Sequence, residues 1–414
     1  MKICYLTWGE TPRSYGVFGS QVLGQFLKTS TELKEARFYF ISGVPIIHSG
    51  LIREKLGYFN EIKKIKKKLF NIPFLFLPIF CTQNFIESSK LSFKFFHGFS
   101  HFLLKRKLKN INPSVVHCRS YHAAWAAVQI KLKHNFKFKI VFDPRGLFPE
   151  EVALKKNYSE VNEDYKYLKK IEEEIISNID VLIAVSDTMA NYYKRLGVDK
   201  VKTIYLSSDV SLLKPSNLNS TKQELNFIYV GALSNSTWHK ITELKYLMIH
   251  ILNKVPESNF TIVTTSNHKE IIKEFNDFPI DKLHLTSTKN LNELKPLLQK
   301  ANFGLMSYFT PKTQREIVLS DMVMAVKTAE YFAAGLPLIL NKYCGGASHI
   351  VNENNIGIAY TPSEFKEITK SKIVSLTNSS KKNEISNLAE ELFDYSSNAN
   401  RYKQVYIDLY SSNH

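Results

Sequence analysis

Glu330 poses the sharpest chemical question in this chain. It stands in Met324-Ala-Val-Lys327-Thr328-Ala-Glu330-Tyr-Phe-Ala-Ala-Gly335-Leu-Pro337, a short helical pattern of small and apolar residues. A carboxylate among such neighbours needs hydrogen-bond partners, and the hydroxyls of a ribose would serve. Gly335 is expected to take the left-handed cap of that helix. Pro337 then starts a buried strand, and Gly345-Gly346 is read as the following loop. A second candidate is Lys240, which follows Tyr229-Val230-Gly231 and a polar loop. A lysine there could neutralise a diphosphate, or it could simply be solvated. His117, Arg119 and His122 crowd the end of an apolar run at 115–118. One histidine is usually structural, but three polar residues at one strand end make a functional role as plausible as a structural one. Asp143, Arg145, Glu150 and Glu151 lie just past the run 139–143. The planar fork of Arg145 could hold a phosphate or carboxylate, or lock its own turn by pairing with a neighbouring carboxylate. Finally, Gly9, Gly16 and Gly19 precede Ser20 and Gln21, which are read as opening a helix. Glycines let backbone N–H groups approach a phosphate or sugar. The spacing is not that of a nicotinamide-binding loop, and a plain turn accounts for it nearly as well.

Each of these groups follows a predicted strand. Apolar or β-branched runs at 2–8, 36–42, 115–118, 139–143, 181–185 and 202–206 form one set, and those at 226–232, 260–265, 283–287, 303–308, 336–340 and 356–360 form another. Helical patterns such as Tyr165, Leu168, Ile171, Ile175 and Ile176 lie between them. This alternation predicts an α/β fold with two doubly wound parallel sheets. Ligands then bind outside the carboxyl ends of the strands. The polar stretch 207–224, with Pro215, Asn217 and Asn219, is the expected boundary. The predicted organisation is a domain over 1–210, a second over 211–380, and a C-terminal helical segment over 381–414.

The whole-chain numbers agree with two cores and narrow the chemistry. The 414 residues are 44% hydrophobic and 13% aromatic, which excludes a disordered chain. Cys4, Cys81, Cys118 and Cys344 are scattered, without the paired spacing of a zinc or thioredoxin-type site, and suggest a reducing compartment. Met1 and Lys2 lead directly into a strand, so no secretory leader is expected. The longest apolar run, 69–80, carries two prolines and is shorter than the ~20 residues of a membrane span. Lysine plus arginine number 55 against 38 acids, giving +17. Of this, residues 52–109 hold 13 basic and 3 acidic residues, or +10. Lys63, Lys64, Lys66, Lys67 and Lys68 alternate with Ile62, Ile65 and Leu69 in an amphipathic pattern. Phe95, Phe96, Phe99 and Phe102 repeat the helical spacing before Lys105-Arg106-Lys107. A solvated face above ordinary core and an anionic membrane contact are both open. Nucleic acid is not expected, because no binding signature accompanies the charge.

At 327–346 the sequence resembles the retaining glycosyltransferases of family 4, whose fold is GT-B. Lys327-Thr-Ala-Glu330-Tyr-Phe-Ala-Ala-Gly335-Leu-Pro337 is similar to that family's K-x-x-E-Y-x-A-x-G-x-P signature, and Gly345, Gly346 and Gly357 to its next loop. Ile179-Asp180-Val-Leu-Ile-Ala-Val-Ser186, Tyr229-Val-Gly231 and the segment Phe393 to Leu409 resemble further family elements in the same order. The resemblance implies two Rossmann-like domains facing a cleft and a C-terminal helix crossing back to the first. It implies metal-independent transfer of a sugar (a hexosyltransferase-like activity, EC 2.4) from a nucleoside-diphosphate sugar to a glycan or lipid-linked acceptor, as in cell-surface polysaccharide synthesis. No cofactor beyond the donor substrate is implied. The setting would be cytoplasmic, with 52–109 as a peripheral contact on an anionic inner leaflet. Carried over by position, Glu330 would hold the ribose, Lys240 the diphosphate, and Gly16 to Gly19 the region of the transferred sugar. Backbone amides following Lys327, Thr328 among them, would help bind phosphate beside Gly231, Gly345 and Gly346. Arg119 or His122 would stand where the family has a histidine, with Arg145 as a further donor contact. The chain departs from the family at Met322, where a second glutamate is usual, at Ala232, where an arginine is usual, and at His349, where a glutamate is usual. A nucleotide-sugar epimerase and a non-catalytic GT-B scaffold subunit are the competing readings.

Overall fold

A computed structural model describes residues 1–46, 55–79, 90–215, 224–234 and 238–411. Asn217, Asn219 and Cys81 lie outside the described residues, as do positions 52–54 of the basic stretch. The chain forms two compact units, residues 1–204 with 398–414, and residues 205–397.

The first unit holds a seven-stranded sheet in the order β3-β2-β1-β4-β5-β6-β7. Its strands are β1 (Lys2–Trp8), β2 (Arg37–Pro45), β3 (Phe74–Ile79), β4 (Val115–Arg119), β5 (Lys139–Asp143), β6 (Val181–Ala184) and β7 (Val201–Thr203). The second unit holds β8 (Asn226–Val230), β9 (Asn259–Val263), β10 (Leu283–Thr286), β11 (Phe303–Met306), β12 (Leu338–Asn341) and β13 (Gly357–Tyr360), ordered β10-β9-β8-β11-β12-β13. Every described strand pair is parallel. Strands buried on both faces must be apolar throughout, which is why they read as short continuous runs in the sequence.

One strand was not among those expected. β3 lies inside the apolar run 69–80, and Pro78 falls within it. Proline cannot donate to a ladder, so a strand that contains it belongs at an edge, and β3 is the edge beside β2. The glycine pair also differs from expectation: Gly345 and Gly346 are not a loop but the first turn of the helix Gly345–Asn354. The glycine-rich approach after β1 winds as a π-helical segment, Phe18–Gly24, before the α-helix Gln25–Glu32.

The first unit's core joins Ile3, Phe40, Val115 and Ile183 of the sheet to Tyr402, Val405, Tyr406 and Leu409. The last four come from the helix Tyr395–Ser411, whose residues from Asn398 onward belong to this unit. The preceding helix, Ser379–Phe393, stays with the second unit, where Ser386 donates to the Ala333 carbonyl at 3.2 Å. The core of the second unit gathers Phe227, Tyr229, Leu244, Phe260, Phe303 and Ile339.

Candidate functional site

In each sheet the strand order reverses at one place, between β1 and β4 in the first unit and between β8 and β11 in the second. Loops leaving neighbouring strands on opposite sides open a crevice there.

In the second unit, β8 ends at Val230, and Gly231 follows with φ +134°. An L side chain does not adopt that conformation comfortably. A Cβ at Gly231 would also lie 2.5 Å from Nζ of Lys327. The lysine stands in the first turn of the helix Val326–Ala333, and Glu330 lies one turn further along it. Nζ of Lys327 donates to the Tyr229 hydroxyl at 3.1 Å and sits 4.2 Å from the centre of that ring. The Tyr229 hydroxyl in turn donates to the Ala232 carbonyl at 2.9 Å. Burial pushes the Lys327 ammonium down to about 7, although Glu330 and Cys344 pull it back up. Burial pushes the Glu330 carboxyl above its usual range, and Lys327 opposes that shift. A Cβ on Gly345 would meet the carbonyl oxygens of Ser320 at 2.4 Å and Val323 at 2.5 Å. The glycine therefore lets two helix ends close on each other beside these groups.

One expected donor contact has another occupation. Thr328 is fully buried; its N–H donates to the Ala325 carbonyl at 3.0 Å and its hydroxyl to the Met306 sulfur at 3.6 Å. Both of its donors are engaged within the unit. Lys240 is the residue before the helix Ile241–Lys254, and it is the neighbouring His239, buried and held neutral, whose charge Lys327 would oppose. Met322 is buried, as befits its apolar side chain.

In the first unit, Arg119 ends β4 and is 6% exposed. Its Nε pairs with Glu10 at 3.0 Å, while Nη1 is buried without a hydrogen-bond partner. Glu10 directly follows the turn at Gly9, and it is the site residue that sequence reasoning missed. Its only signal was a carboxylate placed just beyond the first strand. Ser120 comes next with φ +80°, and the helix Tyr121–His134 begins after it. His122 lies in that first turn, but its imidazole is buried, 3.1 Å from that of His97. Burial pushes it down to about 3. Trp8 stacks on His97 with ring centres 5.1 Å apart, and Phe148 packs edge-on to His122 at 5.0 Å. His122 is thus a neutral member of an interior aromatic group.

Arg145 is paired within the unit, while its Nη1, like that of Arg119, is buried without a hydrogen-bond partner. Its Nε lies 2.9 Å from Asp143, which is fully buried, and the side chain lines a small cavity with Tyr5, His117, Tyr402 and Tyr406. His117 bonds the Tyr406 hydroxyl at 2.8 Å and stands 3.6 Å from Asp143. Burial raises the Asp143 carboxyl, but Arg145 and His117 outweigh it and hold the group below its usual range. Asp143, Arg145 and His117 form a buried polar knot that anchors the C-terminal helix. Gly16 opens the helical segment that follows β1 and Gly19 lies within Phe18–Gly24; a Cβ on Gly19 would meet the Ser14 carbonyl oxygen at 2.7 Å, and one on Gly16 would meet nothing within 4 Å.

Comparison with known proteins agrees with this architecture. Residues 87–211 match the family model described as Glycosyltransferase Family 4. No curated protein matches the sequence. Among solved structures, sucrose-phosphate synthase from Thermosynechococcus elongatus superposes with a TM-score of 0.67 at 15% identity, covering 99% of both chains. Anabaena HepE in complex with UDP-glucose gives 0.62 at 12% identity, covering 99% of this chain and 100% of that one. The apo lipopolysaccharide outer core galactosyltransferase WaaB gives 0.66 at 14% identity, with the same coverage. The family match lies mostly in the first unit, whereas the motif at 327–346 lies in the second. This chain has the two-sheet α/β fold of the GT-B glycosyltransferases, with the Glycosyltransferase Family 4 pattern over residues 87–211.

Proposed function

We propose that this chain transfers a sugar from a nucleoside-diphosphate sugar to a glycan or lipid-linked acceptor, with retention at the anomeric carbon and without a metal ion. One observation carries the reading: at the crevice of the second sheet the half-buried side chains of Lys327 and Glu330 share one helix beside Gly231. The cation suits a diphosphate and the carboxylate suits ribose hydroxyls. Lys240 is the second candidate cation. Cations held in place in this way stabilise negative charge as it develops on a departing diphosphate. HepE with UDP-glucose and the galactosyltransferase WaaB support the substrate class by analogy of fold.

The test is a donor screen that measures released nucleoside diphosphate with and without acceptor, in the presence of EDTA. Turnover is expected to persist in EDTA. Lys240→Ala and Glu330→Ala should each lower kcat/KM about tenfold to a hundredfold, the worth of a charge-assisted hydrogen bond. Unchanged turnover in both variants would overturn the assignment. Met322 in place of a glutamate favours one alternative, a non-catalytic scaffold subunit, and failure to bind any nucleoside diphosphate would support it.

The reading extends to a peripheral contact with an anionic membrane in a cytoplasmic setting. Lys63, Lys64, Lys66, Lys67 and Lys68 are exposed on the helix Lys55–Leu69 while Ile65 and Leu69 are buried. On the helix Lys90–Ile111, Phe99 and Phe102 are exposed at 59% and 57%, so these rings are surface rather than core. Among the described residues no helix is long and apolar enough to cross a membrane. At ~1 kcal/mol per basic residue near such a surface, a handful suffices for reversible binding. Co-sedimentation with phosphatidylserine vesicles should therefore be lost at high salt and absent with neutral vesicles.

A further inference from the structure

Lys327 occupies a setting that a permanent cation would disfavour. Its hydrogen-bond partner is the neutral hydroxyl of Tyr229, already fixed by its own bond to the Ala232 carbonyl. Among the described residues, no carboxylate lies within ion-pairing distance of its Nζ. The ionisable groups that face it are Glu330 on its own helix, Cys344 at the start of the next, His239 before the helix Ile241–Lys254, and Tyr229 on β8. Glu330 and Cys344 favour its charge, but burial outweighs them and holds the group near neutrality. Gly231 is what allows Nζ to reach the end of β8 at all, because a Cβ would occupy its place. Lys327 is half-buried, and an ammonium partly withdrawn from water without a counter-ion is disfavoured, a cost that an arriving anion removes.

We propose that Lys327 is a proton-coupled clamp for the donor diphosphate, taking up a proton from solvent as the nucleotide binds. This rests on the reading of the second unit as a nucleotide-sugar site. It also assigns Lys327 to the position beside Ala232, where the family arginine is missing. Donor affinity then depends on pH in a definite direction. Above neutrality the free lysine is uncharged, and each binding event must draw a proton from the buffer. Below neutrality the lysine is already charged and binding draws none.

Calorimetry of the intact chain with UDP, GDP, ADP, CDP and dTDP, in buffers of different ionisation enthalpy, reads that proton directly. For one group titrating near neutrality, linkage predicts uptake of about 0.9 proton at about pH 8 and about 0.1 at about pH 6, with binding about tenfold weaker at the higher pH. Lys327→Arg, which keeps its charge at both values, should abolish the uptake at the higher pH and flatten the affinity. Lys327→Met should lose the uptake and bind at least about tenfold more weakly at the lower pH. Tight binding by the wild type without uptake at the higher pH would overturn the clamp and leave the nucleotide site standing. Uptake that persists in Lys327→Arg would do the same. If none of the five diphosphates binds the folded wild type, the nucleotide-site reading itself fails and takes the clamp with it.

Discussion

At the residue scale, the named cations at the strand ends of the two sheets have different partners. In the first unit, charges sit next to opposite charges: Arg119 with Glu10, and Arg145 with Asp143. In the second, Lys327 has only a phenol and a ring. That contrast leads to two predictions. Gly231→Ala should be costly, because its Cβ would displace Nζ from a lysine-sized gap and would also have to hold φ near +134°. A loss of about 1–3 kcal/mol is expected from chemical denaturation, the range for such backbone strain, together with loss of nucleotide binding. Lys327→Met should do the opposite for stability. Burial depresses this lysine's titration to about 7 in the folded protein, against about 10.4 in an unfolded chain. The folded state therefore binds fewer protons between those values, and wild-type stability rises with pH across that window. Removing the amine should raise the melting temperature at neutral pH and flatten that rise. Glu330 and Lys327 were both legible in the sequence, because they fall inside a specific motif. Their environment was not legible: Tyr229 lies 98 positions away along the chain.

At the element scale, four histidines of the first unit belong to packing. Burial pushes His97, His101, His117 and His122 below their usual range. A folded state that resists protonation is stable above the unfolded value of about 6.5 and loses that contribution as pH falls toward the folded values. Thermal melts should therefore show stability falling steadily below about pH 6.5. Tyr406→Phe leaves Nδ1 of His117 buried without its hydroxyl partner, which should cost about 1–3 kcal/mol. The helix that carries Tyr406 was expected from its family-like sequence, but its polar partner could not be. Likewise the strands of the sheet centres were readable as apolar runs, while β3 was not. Two prolines and its flanking aromatics hide it, and only its position at the sheet edge makes Pro78 acceptable.

At the scale of the whole molecule, the chain leaves the first unit at residue 204 and returns to it at 398. The returning helix supplies Tyr402, Val405, Tyr406 and Leu409 to that unit's core. Four such side chains are worth roughly 6–12 kcal/mol on burial, comparable with the stability of a domain. Truncation after Ser397 should therefore leave residues 1–204 open to limited proteolysis while residues 205–397 resist it. The sequence by itself determined the strand–helix alternation, the two-sheet α/β class and the motif at 327–346, because buried parallel strands must be apolar and the motif is a local pattern of residues at fixed spacing. Tertiary structure alone decided which of these polar residues meet one another. Arg119 meets a glutamate 109 positions away, His117 a tyrosine 289 positions away, and Lys327 a ring on another strand. Such pairings are made by strand order and helix return, and no local pattern encodes them.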